Sequence, residues 1–162
     1  LPDYDFAGYK KITNSVGIKI IPSGNWVVDL QRFAEAINNK VWSATRTDMA
    51  MIGGITNGKK AMDLSDIGGL CCEIMSWGYT LVSVANLHIM LSSNNCSFYE
   101  QPLPYETFEF GMHDVLRTNK DGYMYAPKKP GLGVEINWDL MKTRVIHSFY
   151  CDENKEVGLV HA

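Results

Sequence analysis

The stretch "VWSATRTDMAMIGGITNGKKAMDLSDIGGLCCEIMS", residues 41–76, decides the fold. "VWSATRTD" (41–48) is short, rich in β-favouring residues and ends on Asp48. It reads as a strand. "GGITNGKKAMDLSDIGG" (53–69) opens and closes on glycine and reads as a helix. "LCCEIMS" (70–76) reads as the next strand, ending near Met75. A strand, a helix and a strand within 36 residues form a βαβ unit, and such units build parallel sheets.

The same rhythm extends both ways. Upstream, "VGIKIIPSGN" (16–25) is a β-branched run closed by Pro and Gly. "WVVDLQRFAEAINN" (26–39) carries Trp26, Leu30, Phe33 and Ile37 at helical spacing, with Asn38-Asn39 as a stop. The opening "DYDFAGYKKITNSV" (3–16) reads as one more helix. Downstream, "GYTLVSVANLHIMLSSNN" (78–95) reads as a helix with Leu81, Ala85, His88 and Ile89 on neighbouring turns, and "CSFYE" (96–100) as a fourth strand. The expectation is an α/β chain with four short parallel strands alternating with helices. From Gln101 the rhythm stops. Pro and Gly accumulate, with turn signals at Asp121-Gly122 and Pro130-Gly131, so residues 105–162 are expected to form an extended tail or a small antiparallel excursion.

Four strands make half of a (β/α)8 barrel, which needs roughly 250 residues. An open sheet of this kind exposes two edges and an apolar face. Another polypeptide completes it, two copies pair, or the sheet is open and doubly wound. The last reading lacks a Gly-rich phosphate loop after a strand, since "MIGGIT" does not have the G-x-G-x-x-G spacing.

Composition narrows the partners. Among 162 residues, 46% are hydrophobic and 20% charged, as in a globular chain. A net charge of -3 gives no reason to expect nucleic acid or an anionic membrane. No apolar run approaches the roughly 18 residues of a membrane span. The chain opens at Leu1, not Met, so the lack of a legible targeting segment carries little weight. Cys71, Cys72, Cys96 and Cys151 form no C-x-x-C pair, and neighbours on a strand point to opposite faces. Reduced, mostly buried thiols in a cytoplasmic protein are expected.

In parallel α/β folds chemistry gathers at the carboxyl ends of the strands. Those ends here offer Asn25, Asp48, Met75 and Glu100. Two carboxylates and an amide in one mouth suit a divalent cation or an acid–base pair. Equally, Asp48 caps the following helix and Glu100 is a loop carboxylate. His88 lies mid-helix, away from the mouth, and reads as a packing residue. His113 and His147 default to surface roles, and Lys128-Lys129 to a solvated turn. Trp77 lines the pocket or packs in the core.

Three segments, "TDMAMIGGITNGKKAMDL" (47–64), "ANLHIMLSSNNCSFYE" (85–100) and "DGYMYAPKKPGLGVEINWD" (121–139), together resemble the enolase superfamily, mandelate racemase/muconate lactonizing type. The likeness spans essentially the whole chain. It implies that residues 1–104 are strands five to eight of the (β/α)8 barrel domain and that 105–162 return to a capping domain. It also implies an N-terminal remainder that completes the barrel, and a homo-oligomer.

The resemblance further implies proton abstraction beside a carboxylate, with Mg²⁺ stabilising the enediolate. The substrate would be a small hydroxy-carboxylate or sugar acid, and the enzyme a dehydratase or racemase. Of three acidic metal ligands, two would precede Leu1. The third maps onto Asn25, where an amide adds no charge. Asp48 matches the aspartate that orients a histidine on the next strand, but that histidine's position holds Met75, which takes no proton at neutral pH. Glu73, two residues away on the same face, either substitutes as base or is a structural carboxylate. Glu100 matches the eighth-strand glutamate that hydrogen-bonds the substrate oxyanion, for which it must carry a proton. With Asn25 and Met75 both departing from the pattern, the alternative is a degenerate barrel that binds a carboxylate ligand or serves as a structural subunit.

Overall fold

A computed structural model describes residues 1–22, 27–151 and 157–161. Helix α1 spans Phe6–Thr13, α2 Leu30–Asn38, α3 Ile55–Ile67 and α4 Thr80–Leu91. Strands β1 (Thr45–Thr47) and β2 (Cys72–Ile74) pair in parallel, with Thr45 opposite Cys72, Arg46 opposite Glu73 and Thr47 opposite Ile74. The βαβ unit read at 41–76 is therefore present, with α3 as its crossover.

Local chemistry sets the helix ends. The Asp29 carboxylate accepts from Arg32 N at 2.8 Å at the start of α2, and Asp5 does the same for Gly8 N at α1. Helix α3 starts at Gly54, whose φ of 103° a side chain would strain.

The buried faces follow the two-residue period. Thr45, Thr47, Cys72 and Ile74 point into the helical layer and are buried, whereas Arg46 and Glu73 point the other way. Phe33, Ala36, Ala61, Met62, Cys72 and Ile74 form the centre of one core with Trp42. Phe6 and Tyr9 meet the Trp42 ring edge-on, at centroid distances of 5.7 and 6.4 Å.

Two of the four expected strands do not form among the described residues. Residues 16–22 meet the residues just before β1 through Ile20, whose carbonyl accepts from Ser43 N and Ala44 N and whose amide donates to Ser43 Oγ, and Lys19 Nζ reaches Cys71 Sγ at 3.9 Å. Residues 96–100 lie beside β2, but after Cys72 N donates to Asn95 O at 2.7 Å, side chains of β2 replace the ladder. Glu73 Oε2 accepts from Ser97 N and Phe98 N, and Ser76 Oγ accepts from Glu100 N. Each segment is an outer edge with one neighbour, where a side-chain acceptor competes with the backbone ladder.

Helix α4 is rotated from its expected face. Thr80, Ser83, Val84, Asn86, Leu87, Ile89 and Met90 are buried, and His88 is only half-buried. Nearly every residue of "TLVSVANLHIML" is apolar or small, so periodicity could not select a face.

The tail carries short helices α5 (Tyr105–Phe108) and α6 (Trp138–Lys142) and an antiparallel hairpin, β3 (His147–Cys151) with β4 (Val157–His161). It docks back onto the helical layer. His88 Nε2 lies 3.0 Å from Leu132 O, and the Tyr79 hydroxyl donates to Phe110 O. Lys129 is paired with Asp114 at 2.7 Å and Glu135 at 3.0 Å, and this hydrogen bond from Lys129 lowers the Asp114 carboxyl from its ordinary value. Among the described residues no helix is long and apolar enough to cross a membrane.

Candidate active site at the strand ends

The face of the sheet opposite the helices carries Arg46 and Glu73, with Met75 and Glu100 beyond the carboxyl end of β2. Asn25 lies outside the described residues.

Asp48 follows β1 and is 4% exposed. Its Oδ1 accepts from Ala50 N at 2.8 Å and from Asn86 Nδ2 at 3.2 Å. Asn86, fully buried on α4, also donates to Met75 O at 3.0 Å and accepts from Met49 N at 2.9 Å. One amide side chain therefore ties the end of β1 to the end of β2. Met75 itself is fixed by its own N–H, which donates to Thr47 O at 2.8 Å. Its thioether supplies neither a proton acceptor nor a charge.

Glu73 holds a backbone segment. Beside the two amides already described, its Oε2 accepts from Cys96 Sγ at 3.7 Å. Burial pushes the Cys96 thiol up to about 12 and also raises Cys72, which disfavours a thiolate at either position. Tyr99, beside Glu100, is raised by burial as well.

Glu100 is held at three points. Its N–H donates to Ser76 Oγ at 2.7 Å, its carbonyl accepts from the same hydroxyl at 3.2 Å, and its carboxylate is paired with Arg46. The side chains of Arg46 and Glu100 are 15% and 33% exposed, so the pair lies partly out of solvent. Trp77 is 49% exposed and meets the Phe108 ring at 4.9 Å between centroids, at a barrel–tail contact. His88 is engaged with the tail and stands apart from this constellation.

The structure thus brings Met75, Glu73 and Glu100 around one side of β2 and turns Asp48 toward α4. The sequence reading missed Arg46, Ser76 and Asn86. Arg46 was accessible from period-two alternation, which puts it on the face opposite Thr45 and Thr47. Asn86 carried no such signal, because it sits inside an apolar helix. Among the described residues no group of three His, Cys, Asp or Glu side chains is placed to hold a metal ion.

The family model described as enolase C-terminal domain-like matches residues 1–140. The chain belongs to that family. A D-galactonate dehydratase family member RspA from Pantoea ananatis is 32% identical over 126 residues, which are 72% of this chain and 28% of that protein. The crystal structure of a Pseudovibrio sp. protein described as a mandelate racemase/muconate lactonizing enzyme superposes with a TM-score of 0.87 at 36% identity. It covers 99% of this chain and 40% of its own. An enolase from Pantoea ananatis, solved with bound D-gluconate and Mg, gives 0.77 at 26% identity, over 88% of this chain and 34% of its own.

The chain therefore spans between about a quarter and two fifths of the length of these enolase-superfamily relatives. The α/β architecture corresponds to the C-terminal part of their barrel domain.

Proposed function

We propose that this chain is the C-terminal part of an Mg²⁺-dependent enolase-superfamily enzyme that removes a proton beside the carboxylate of a sugar acid, as a dehydratase or racemase. The observation that carries the reading is the position of Met75 and Glu100 beyond the carboxyl end of β2, with Arg46, inside β1 on the face away from the helices, paired to Glu100. Relatives named as galactonate dehydratase family members and one holding D-gluconate and Mg support the substrate class.

In this reading an N-terminal remainder closes the barrel against residues 1–104 and supplies the base. Residues 105–162 belong to the capping region. Asn25 and acidic residues of the N-terminal remainder would hold Mg²⁺, which would supply electrostatic stabilisation of an enediolate. What this chain contributes is Glu100, fixed by Ser76 and Arg46, and a mouth rigidified by Asn86. The whole protein assembles as a homo-oligomer and works in the cytoplasm.

One observation favours a second reading. Asp48 is enclosed by Ala50 N and Asn86, and Met75 replaces its histidine partner, so the dyad cannot relay a proton. A binding protein without turnover would have this arrangement.

The experiment is to express the full-length protein, assay it with Mg²⁺ against a panel of sugar acids, and compare Asn25→Glu and Met75→His. Turnover in the unaltered protein, reduced by either change, supports an enzyme with altered chemistry. No turnover, with tighter Mg²⁺ binding in Asn25→Glu, supports the degenerate barrel.

A further inference from the structure

Arg46 has two acids within reach and takes only one. Its in-register neighbour across the sheet is Glu73, the partner that a cross-strand opposite-charge pair would select. Glu73 is instead occupied by Ser97 N, Phe98 N and Cys96 Sγ. The guanidinium passes along the face to Glu100, 54 residues away in sequence. Arg46 Nε is buried and has no partner among the described residues, so within them the cation is answered by Glu100 alone.

The geometry fixes a direction. Arg46 stands inside β1, one layer below Asp48 and Met75, so it meets Glu100 from the strand interior. Nη2 engages Oε1, and Oε2 has no partner among the described hydrogen bonds. With Oε1 receiving the guanidinium N–H, Oε2 is the oxygen left to accept from a second donor.

We propose that Arg46 is a positioning residue that presents Glu100 Oε2 as an acceptor for a hydroxyl of the bound acid. This rests on the proposed sugar-acid function and refines it. An acceptor at that point selects polyhydroxylated acids over acids lacking a hydroxyl there, because a carboxylate oxygen left without a donor in a closed site is costly.

The test uses the full-length protein and two readouts. The first is a double-mutant cycle of thermal unfolding with Arg46→Met and Glu100→Gln, with Glu73→Gln as a control; Arg46→Gln serves the cycle if Arg46→Met does not fold. Strong coupling between positions 46 and 100, and none between 46 and 73, is expected. Additive effects at 46 and 100 would overturn the pairing. The second is calorimetric binding of D-gluconate in the presence of Mg²⁺. Arg46→Met is expected to weaken D-gluconate by about tenfold, Arg46→Lys to retain most of the affinity, and Mg²⁺ affinity to stay within about twofold. Undiminished D-gluconate binding in Arg46→Met would overturn the positioning role. An unaltered protein that binds no sugar acid would overturn the proposed function and the hydroxyl assignment with it, while the unfolding cycle would still decide the Arg46–Glu100 pairing.

Discussion

Asn86 Nδ2 reaches Asp48 Oδ1 at 3.2 Å and, in the same plane of contacts, the carbonyl of Met75 at 3.0 Å. The side chain is fully buried, and Met49 N completes its set. Removing it leaves a buried carboxylate oxygen, a carbonyl and an amide each short of a partner. Asn86→Ala is expected to destabilise the full-length protein by about 1–3 kcal/mol, measured by urea unfolding. Asn86→Asp is expected to cost more, because it places a second acceptor against Asp48 and Met75 O. An unaltered midpoint in Asn86→Ala would show that the two strand ends are held by other means.

The thiols make a chemical prediction. Cys72 is fully buried and raised, and Cys96 is pushed up to about 12, both chiefly by burial. A thiolate is the nucleophile, so neither is expected to react with iodoacetamide at pH 8 in the folded protein, and both are expected to react after unfolding. Peptide mass spectrometry reads this directly. The same shifts give a sign for alkaline stability. A group raised in the folded state favours folding below its unfolded value, here 9.0, and that contribution is lost as pH rises toward about 12. Tyr79 and Tyr99 are raised by burial from 10.0 and act in the same direction. The unfolding temperature is therefore expected to fall between pH 9 and 12, and less so in Cys96→Ala.

The parts of this fold legible in the sequence are those where one local rule had no competitor. Glycines at 53–54 and 68–69 bracket α3, and the β-favouring run ending at Asp48 marks β1. The outer segments 16–22 and 96–100 misled, because strand propensity says nothing about whether a neighbour exists to complete a ladder. Helix α4 was legible as a helix but not in its orientation, since apolar residues surround its axis. At the site, Asp48, Met75 and Glu100 were legible from their places near strand ends and from the family likeness. Arg46 and Asn86 were not singled out, because their roles depend on which long-range acid or backbone group lies within reach. That is tertiary information.

His88 fastens the tail to α4. Its Nε2 meets Leu132 O at 3.0 Å, inside the Pro130–Gly133 turn, where Gly133 N donates to Pro130 O. His88→Ala is expected to leave helix α4 intact, because the helix interior tolerates alanine. It should release the tail around Leu132, raising amide exchange at Gly131 to Gly133 in the full-length protein. Exchange at Cys72 and Ile74 should not change. Equal exchange in both proteins at the turn would mean that the tail is held by the Tyr79–Phe110 and Thr80–Phe108 contacts instead.

Ser76 is the hinge between the sheet and Glu100. The hydroxyl accepts from Glu100 N at 2.7 Å and lies 3.2 Å from Glu100 O, while its own carbonyl accepts from Ser83 Oγ at 2.7 Å. It makes both of its bonds to the Glu100 backbone from one side chain, and it is fully buried. Ser76→Ala is expected to destabilise by about 1–3 kcal/mol, from the stranded Glu100 N–H, and to speed amide exchange at Glu100 by tenfold or more. If Arg46 alone fixed the carboxylate, D-gluconate binding would survive this change. If the backbone anchor and the ion pair act together, Ser76→Ala and Arg46→Met should each weaken binding, and the double variant should lose less than the sum of the two.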